Sequence, residues 1–337
     1  MFYVTELLST LPTLIIIIIL IGSLYILSKA ADRLIDEAVA LSLQFGLSKM
    51  VVGATILSVG TTLPEVASSL AASLRGNSLF GLGNAVGSII TNASLILGIG
   101  ALIGLIPVKK ETRRTFLVFV GSMLGFMALS LISSGSLQEG LLPRWSGFLL
   151  LLLAPIYIWQ TVKKNPKEIE EELEQNKIEE SAPSHSLSKR VVILIVSSLS
   201  VTIGAALLVA SAEITAVRIG IPDSIIASTL VAFGTSVPEI STTLVAVRYG
   251  HGEMAIGNIL GANMMNILLV MGAVASLTPG GVLTPASYIT VQYPIILVLM
   301  GLIGFPLFFK KRSVINRRHG FALILLYTVY LLTSFLV

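Results

Sequence analysis

The sequence has few of the residues that supply metal chemistry and solvated surface in soluble proteins. It contains no cysteine and only three histidines among 337 residues. The histidines fall in polar stretches or at the ends of apolar runs, so zinc chemistry and a buried imidazole relay are not expected. Charged residues make up 12% of the chain, against about 25% in an ordinary soluble domain. The polar sequence is too short for a soluble catalytic domain, so neither an enzyme nor a bound cofactor is expected.

Apolar sequence takes the place of these residues. Hydrophobic residues make up 54% of the chain, and the mean hydropathy is +0.92. A helix needs roughly 20 residues to cross the apolar core of a bilayer, about 30 Å thick, and backbone in lipid must satisfy its own hydrogen bonds. The sequence therefore predicts an all-α, polytopic membrane protein in contact with the lipid bilayer. Its ten transmembrane helices are expected at about 9–31, 48–74, 79–106, 115–134, 141–162, 191–217, 224–248, 254–277, 289–309 and 319–337.

Basic residues are concentrated in alternate loops. The net charge of +4 by itself could suggest an anionic partner, but this distribution favours another interpretation. If the N-terminus lies outside, all basic residues except Arg75, Arg144 and Arg218 fall on the inner side. The positive-inside rule then places both the N-terminus and the C-terminus outside. The charge pattern thus indicates membrane topology, and no nucleic-acid partner is expected.

The second half of the chain repeats the first at an offset of 174 residues. The segment VVGATILSVGTTLPEVASSLAAS (51–73) aligns without a gap with IIASTLVAFGTSVPEISTTLVAV (225–247). At the same offset, GNAVGSIITNASLILG (83–98) aligns with GNILGANMMNILLVMG (257–272). Because each half holds five helices, the second copy enters the membrane from the opposite side, as in the inverted repeats of secondary transporters. A substrate site is expected near the midplane, where the copies meet.

The duplication predicts three regions. Residues 1–162 form the first five-helix repeat, and residues 191–337 form the second. Residues 163–190 form a polar linker on the cytoplasmic side, and its clustered acids have two interpretations. They belong either to a solvated linker, which the composition favours, or to a regulatory cation site.

Each repeat places a proline where the neighbouring residues are apolar. Pro64 has no N–H to donate to the carbonyl of Gly60, and Pro238 has none for the carbonyl of Gly234. Both helices are therefore expected to break at this point. Carbonyls freed at membrane depth are costly unless they line a cavity or bind an ion.

A glutamate follows each proline, and a carboxylate at this depth is costly unless it is protonated, paired or bound to a cation. No lysine or arginine lies in the inner part of either motif to neutralise Glu65 or Glu239. One such glutamate could be a helix-kink residue, but two at equivalent positions indicate a site for a transported cation or proton. Nearby oxygens complete a cage suited to Ca²⁺ or Na⁺. The other candidate ligands are Thr61, Thr62, Thr235, Ser236, Ser88, Asn92, Asn266 and the carbonyls of Gly60 and Gly234.

Other unusual residues have structural interpretations. Small residues let membrane helices approach closely, and this packing role is expected of the motif glycines Gly83, Gly87, Gly257 and Gly261. Three acids at the inner end of the first helix are expected to be solvated, and these are Asp32, Asp36 and Glu37.

At these motifs the chain resembles the calcium/cation antiporter superfamily, whose inverted repeats carry G-T-[ST]-x-P-[ED] followed by G-N-x-x-G-[SA]. Both signatures occur in both halves, and the resemblance covers nearly all ten predicted helices. It implies an exchanger in which Glu65 and Glu239 bind Ca²⁺ or Na⁺ alternately. The further ligands that it implies are Thr61, Thr235, Asn92 and Asn266. The prokaryotic calcium/sodium antiporters are the most similar group, which implies a prokaryotic plasma (inner) membrane location.

The chain departs from its relatives at two positions. Asn266 stands where some sodium/calcium exchangers carry an acid, and Ala262 stands where many have serine. Both changes bear on the number of sodium sites. Proton-coupled calcium exchangers usually carry G-N-x-x-E, which neither half shows.

Together these features favour a secondary antiporter that exports Ca²⁺ in exchange for inward Na⁺ by alternating access. Two carboxylates balance one Ca²⁺ and could equally hold two Na⁺ or two protons, so a Ca²⁺/H⁺ antiporter is the nearest alternative. A passive cation channel is less favoured, because channels usually build pores from several subunits. This chain supplies both halves of the site itself, which predicts a functional monomer. No motif of an intramembrane protease is present.

Overall fold

The computed structural model describes residues 2–134, 139–163, 186–220, 234–309 and 314–336. These residues form eleven helices joined by short loops and by two short pairs of strands. The helices are α1 (Phe2–Ser9), α2 (Thr13–Phe45), α3 (Lys49–Leu74), α4 (Ser78–Ile103), α5 (Lys110–Ser134), α6 (Arg144–Val162), α7 (Leu187–Arg218), α8 (Val237–Arg248), α9 (Gly252–Leu277), α10 (Tyr288–Phe308) and α11 (Arg317–Leu336).

Eight helices in the described part of the chain are long and apolar enough to cross a membrane, namely α2 to α7, α9 and α10. The sequence predicts ten crossings, and the other two fall at α8 and α11. Helix α11 has 20 residues, and at 1.5 Å per residue it is about 30 Å long. Helix α8 has 12 residues, and the first part of its predicted span, residues 224–233, lies outside the described residues.

The first long helix extends well beyond its predicted end at residue 31. Helix α2 continues to Phe45 and is closed by Gly46, whose φ of 53° is a left-handed conformation that glycine adopts without strain. The charged residues after Lys29 therefore lie within the helix rather than in a loop. Helix α2 packs along α7, the corresponding helix of the second half.

This packing corrects one sequence-based expectation. Glu37 is buried rather than solvated, because its carboxylate pairs with the guanidinium of Arg190 on α7 at 3.3 Å. Asp36 is exposed as expected, and Asp32 is half-buried and lies 3.8 Å from the Lys29 amine. Glu37 and Arg190 are 153 residues apart in the chain, so the sequence pattern alone does not reveal their pairing.

The most buried membrane-length helices are α9 and, after it, α4. Their boundaries differ by the predicted offset of 174 residues: α4 runs from Ser78 to Ile103, and α9 runs from Gly252 to Leu277. Both contain a π turn, over Asn92–Ile96 in α4 and over Asn266–Met271 in α9. Equivalent elements of the two halves thus form the centre of the molecule. Of the predicted linker 163–190, residues 164–185 lie outside the described residues, and the division of the chain there stays a prediction.

Two short antiparallel strand pairs join loops that are distant in sequence, a feature that the all-α prediction misses. Strand β1 (Ile106–Pro107) pairs with β4 (Val314–Ile315), and β2 (Gly140–Leu142) pairs with β3 (Val282–Thr284). The distribution of basic residues assigns both loops of the first pair to the inner side and both loops of the second pair to the outer side. Each pair therefore joins loops predicted to share a side, while the sidedness itself stays a prediction.

Candidate functional site

Helix α3 carries the first motif without interruption. Its α-helical part, Ser58–Leu74, continues through Pro64, so the expected break beside Glu65 is wrong. Proline removes only one hydrogen bond, the donation to the Gly60 carbonyl, and membrane helices tolerate this loss where neighbouring groups and local π adjustments compensate. Such an adjustment lies just upstream, as a π turn over Gly53–Leu57.

The second motif has a different local structure. Helix α8 begins at Val237, with Ser236 as its N-cap residue and Pro238 in the first turn, where the missing N–H has no partner to lose. Glu239 lies in the same first turn, and the positive end of the helix dipole favours an anion there. Gly234 is buried and directly follows residues 221–233, which lie outside the described residues.

The two motif glutamates lie in the interior of the protein, and both side chains are fully buried. None of their carboxylate oxygens has a hydrogen-bond partner of good geometry among the described residues. The helices that carry them, α3 and α8, contact each other. No ion pair in the described part of the chain involves either glutamate. Two buried carboxylates without a cation carry a large desolvation cost and repel each other.

Two asparagines predicted as ligands have the same character. Asn92 and Asn266 begin the two π turns, and both are fully buried, with no partner among the described residues for either side-chain oxygen or nitrogen. Helix α3 contacts the π turn that begins at Asn266, and α8 contacts the one that begins at Asn92. The fold therefore brings each glutamate-bearing helix against the asparagine-bearing turn of the other half.

The predicted hydroxyl ligands divide into two groups. Ser88 and Ser236 are buried, and neither hydroxyl has a partner among the described residues. Thr62 instead donates to the carbonyl of Ser58 in its own helix at 2.7 Å. Thr61 and Thr235 are also buried, and their hydroxyls are hydrogen-bonded across the two halves.

These crossed bonds identify two residues that sequence reasoning assigned no role. The Thr235 hydroxyl donates to Oδ1 of Asn84 at 3.1 Å, and the Thr61 hydroxyl donates to Oδ1 of Asn258 at 3.4 Å. Asn84 and Asn258 are the asparagines of the two GNxxG motifs. A polar amide at equivalent positions of both repeats, at membrane depth, is a sequence signal of a functional role, but the surrounding glycines favour a packing interpretation.

The packing role predicted for the motif glycines is confirmed in the second half. A Cβ at Gly257 would overlap the carbonyl oxygen of Met50, and a Cβ at Gly261 would overlap the backbone of Ala54. Helix α9 therefore approaches the backbone of α3 directly. Gly83 and Gly87 have no such close approach to described atoms.

The donor set of this region consists of oxygens. The described residues contain no group of three or more His, Cys, Asp and Glu side chains that could hold a metal ion by themselves. The two carboxylates are instead accompanied by amides and hydroxyls, and hard cations such as Ca²⁺ and Na⁺ prefer oxygen ligands of this kind.

Comparison with known proteins fits this architecture. The family model for the sodium/calcium exchanger protein matches residues 15–163 and 189–336. The chain belongs to the sodium/calcium exchanger family. The resemblance inferred from the paired motifs is thereby confirmed, and the family match covers both halves of the chain.

Individual relatives extend the family assignment. The chain is 29% identical to the sodium/calcium exchanger MaX1 of Methanosarcina acetivorans, in an alignment covering 94% of this chain and 98% of the relative. It is 33% identical to the inner membrane protein YrbG of Escherichia coli, over 80% of this chain and 82% of the relative. A solved structure of the sodium-calcium exchanger NCX_Mj, soaked with Na⁺ and Sr²⁺, matches with a TM-score of 0.77 and 30% identity, covering 94% of this chain and 98% of that one.

The relatives and the eight membrane-length helices also establish the location. This member of the sodium/calcium exchanger family is an integral membrane protein of the prokaryotic plasma (inner) membrane. Two of these relatives, MaX1 and NCX_Mj, are sodium/calcium exchangers by name.

Proposed function

We propose that this protein is a secondary antiporter that exchanges Ca²⁺ for Na⁺ by alternating access at a site built around Glu65 and Glu239. One observation carries the proposal: two fully buried carboxylates at equivalent positions of the two halves, without a cationic partner among the described residues. A transported cation is the missing counter-charge, because an unpaired carboxylate at membrane depth is otherwise costly.

The charge of this site suits a divalent cation and its monovalent competitors. Two carboxylates supply a charge of −2, which one Ca²⁺ or two Na⁺ balance, so competition for one site couples the two fluxes. Ca²⁺ takes six to eight oxygen ligands, more than two carboxylates provide. We assign the remaining ligands to the buried oxygens around them, namely Thr61, Thr62, Thr235, Ser236, Ser88, Asn92, Asn266 and the carbonyls of Gly60 and Gly234.

Na⁺ is the counter-ion favoured by the relatives. MaX1 and NCX_Mj are both named as sodium/calcium exchangers, and the G-N-x-x-E pattern of proton-coupled exchangers is absent from both halves. The equivalence of α4 and α9, each with its π turn, supports a site at the interface of two inverted repeats near the midplane. Coupling to protons remains the alternative that transport measurements distinguish.

Neutralising either carboxylate tests the site. In protein reconstituted into liposomes, Glu65→Gln and Glu239→Gln should each abolish Na⁺-driven uptake of radiolabelled Ca²⁺, because a site of charge −1 does not balance a divalent ion. Both variants should fold, since an amide is cheaper to bury than an unpaired carboxylate, and their melting temperatures in Ca²⁺-free detergent should not fall below that of the wild type.

The matched control removes a carboxylate outside the site. Glu253 lies at the start of α9 and pairs with the Lys109 amine at 2.9 Å, so Glu253→Gln should retain exchange. Near-normal Ca²⁺ uptake by Glu65→Gln or Glu239→Gln would refute the proposed site.

A further inference from the structure

The crossed hydrogen bonds continue into a second pair of contacts. The side-chain amide of Asn84 donates to the hydroxyl of Ser69 at 3.0 Å and lies 3.4 Å from that of Ser68. The amide of Asn258 donates to the hydroxyl of Thr242 at 3.1 Å. Each asparagine thus binds a hydroxyl of its own half through nitrogen and a threonine of the opposite half through oxygen.

This arrangement determines the direction in which the Thr235 hydroxyl donates. Because the nitrogen of Asn84 is engaged with hydroxyls of α3, its oxygen faces Thr235, and an amide oxygen can only accept. The Thr235 hydroxyl must therefore give its single proton to Asn84. Its oxygen lone pairs are left for another partner, and a cation is the partner that needs lone pairs.

The equivalent contact in the other half is less restrictive. The Thr61 hydroxyl lies 3.4 Å from Oδ1 of Asn258 and also 3.4 Å from the carbonyl of Ser58 in its own helix. Thr61 therefore keeps an alternative acceptor if Asn258 is lost. The bond from Thr235 to Asn84 is shorter, and Thr235 lies in a turn before α8 rather than within a continuous helix.

We propose that Asn84 is a positioning residue of the cation site, which holds the Thr235 hydroxyl with its proton turned away from the bound ion and its lone pairs turned towards it. Asn258 does the same for Thr61, with a smaller effect. This inference rests on the proposed function, since it treats Thr235 as a cation ligand. It adds a residue that does not contact the ion but affects the affinity of the site for the cation by orienting a ligand that does.

Replacing Asn84 with leucine removes both the amide oxygen that accepts from Thr235 and the amide nitrogen that donates to Ser69, while the side-chain volume stays similar. Asn84→Leu should raise the KM for Ca²⁺ about three- to tenfold, the equivalent of one hydrogen bond, with a maximal rate close to that of the wild type. Asn258→Leu should raise it less, because Thr61 retains the Ser58 carbonyl. Asn84→Asp keeps an acceptor for Thr235 and should not raise the KM.

A double-mutant cycle separates positioning from general support of the fold. Thr235→Val should raise the KM on its own, and adding Asn84→Leu to it should raise the KM no further, because coupled residues are non-additive. Asn77→Ala is the matched control: it removes the N-cap asparagine that precedes the same helix, where the side chain accepts a bond from the Phe80 N–H. It should leave the KM unchanged.

The outcomes distinguish this inference from the proposed function. Additive effects of Asn84→Leu and Thr235→Val, or an Asn84→Asp variant as impaired as Asn84→Leu, would overturn the positioning role while exchange by the wild type stands. Should Asn84→Leu fail to fold, Asn84→Ala, which also removes the acceptor, and its combination with Thr235→Val give the same comparison. A different result would refute the proposed function, namely Ca²⁺ exchange that survives Glu65→Gln. The KM values of the double-mutant cycle are then measured for the cation that saturates wild-type flux.

Discussion

At the scale of single residues, Glu65 and Glu239 carry the charge of the proposed site, and Asn84 and Asn258 accept hydrogen bonds from two of its hydroxyls. Glu65 and Glu239 stand out because a carboxylate in an apolar run has few tolerable explanations, and the structure buries both completely. Asn84 and Asn258 do not stand out, since an amide beside glycines suits close helix packing equally well. Their crossed bonds to Thr235 and Thr61 depend on how the two halves meet.

Glu37 illustrates the same limit. It follows a charged stretch with Asp32 and Asp36, which is typical of a solvated helix end, yet it is buried against Arg190. A buried carboxylate is tolerated there because a cation accompanies it, whereas Glu65 has no cationic partner among the described residues. The partner therefore distinguishes Glu37, which has a structural role, from Glu65, which we propose binds the transported cation, and local sequence does not identify partners across a fold.

At the scale of helices, the same Pro-Glu pair occupies two different positions. In α3 the proline lies inside a continuous helix, and in α8 it lies in the first turn. The sequence predicts a break in both, because the loss of an N–H is a local property. Whether the helix continues depends on the surrounding packing, and α9 packs closely against the upstream part of α3.

This close packing leads to a prediction for Gly261. An added methyl group would overlap the backbone of Ala54 in α3, so Gly261→Ala should destabilise the protein by about 1–3 kcal/mol, as overpacking in cores does. Gly301→Ala in α10 is the control, because no described atom lies within 4 Å of the added carbon and alanine is the better helix former. Melting temperatures in detergent should fall for the first variant and not for the second. Equal melting temperatures would contradict the direct backbone contact.

At the scale of the whole molecule, hydrophobic length and internal repetition predict most of the architecture. Eight of the predicted crossings coincide with helices long and apolar enough to cross a membrane, and the boundaries of α4 and α9 agree with the offset of 174 residues. The extension of α2 and the strand pairs were not predictable from hydropathy, because both lie at the ends of apolar runs, where tertiary contacts decide the structure.

Orientation in the membrane is a prediction at this scale. The chain has no cysteine, so a single introduced thiol reports its own location. Leu283 in β3 is 61% exposed and Tyr249 after α8 is 50% exposed. The distribution of basic residues predicts that Leu283→Cys reacts with a membrane-impermeant reagent from outside, and that Tyr249→Cys reacts only from inside. The reverse pattern would overturn the orientation but leave the repeat intact.

The central claim, exchange of Ca²⁺ for Na⁺ at one shared site, is tested most directly by counter-ion dependence. Liposomes containing the wild-type protein are loaded with Na⁺, with K⁺ or with an acidic buffer, and the initial uptake of radiolabelled Ca²⁺ is measured over a range of external Ca²⁺. We expect saturable uptake only from the Na⁺-loaded liposomes, with external Na⁺ competing against Ca²⁺. Uptake that ignores Na⁺ and follows the pH gradient, or that proceeds without any counter-ion on the far side, would contradict the account.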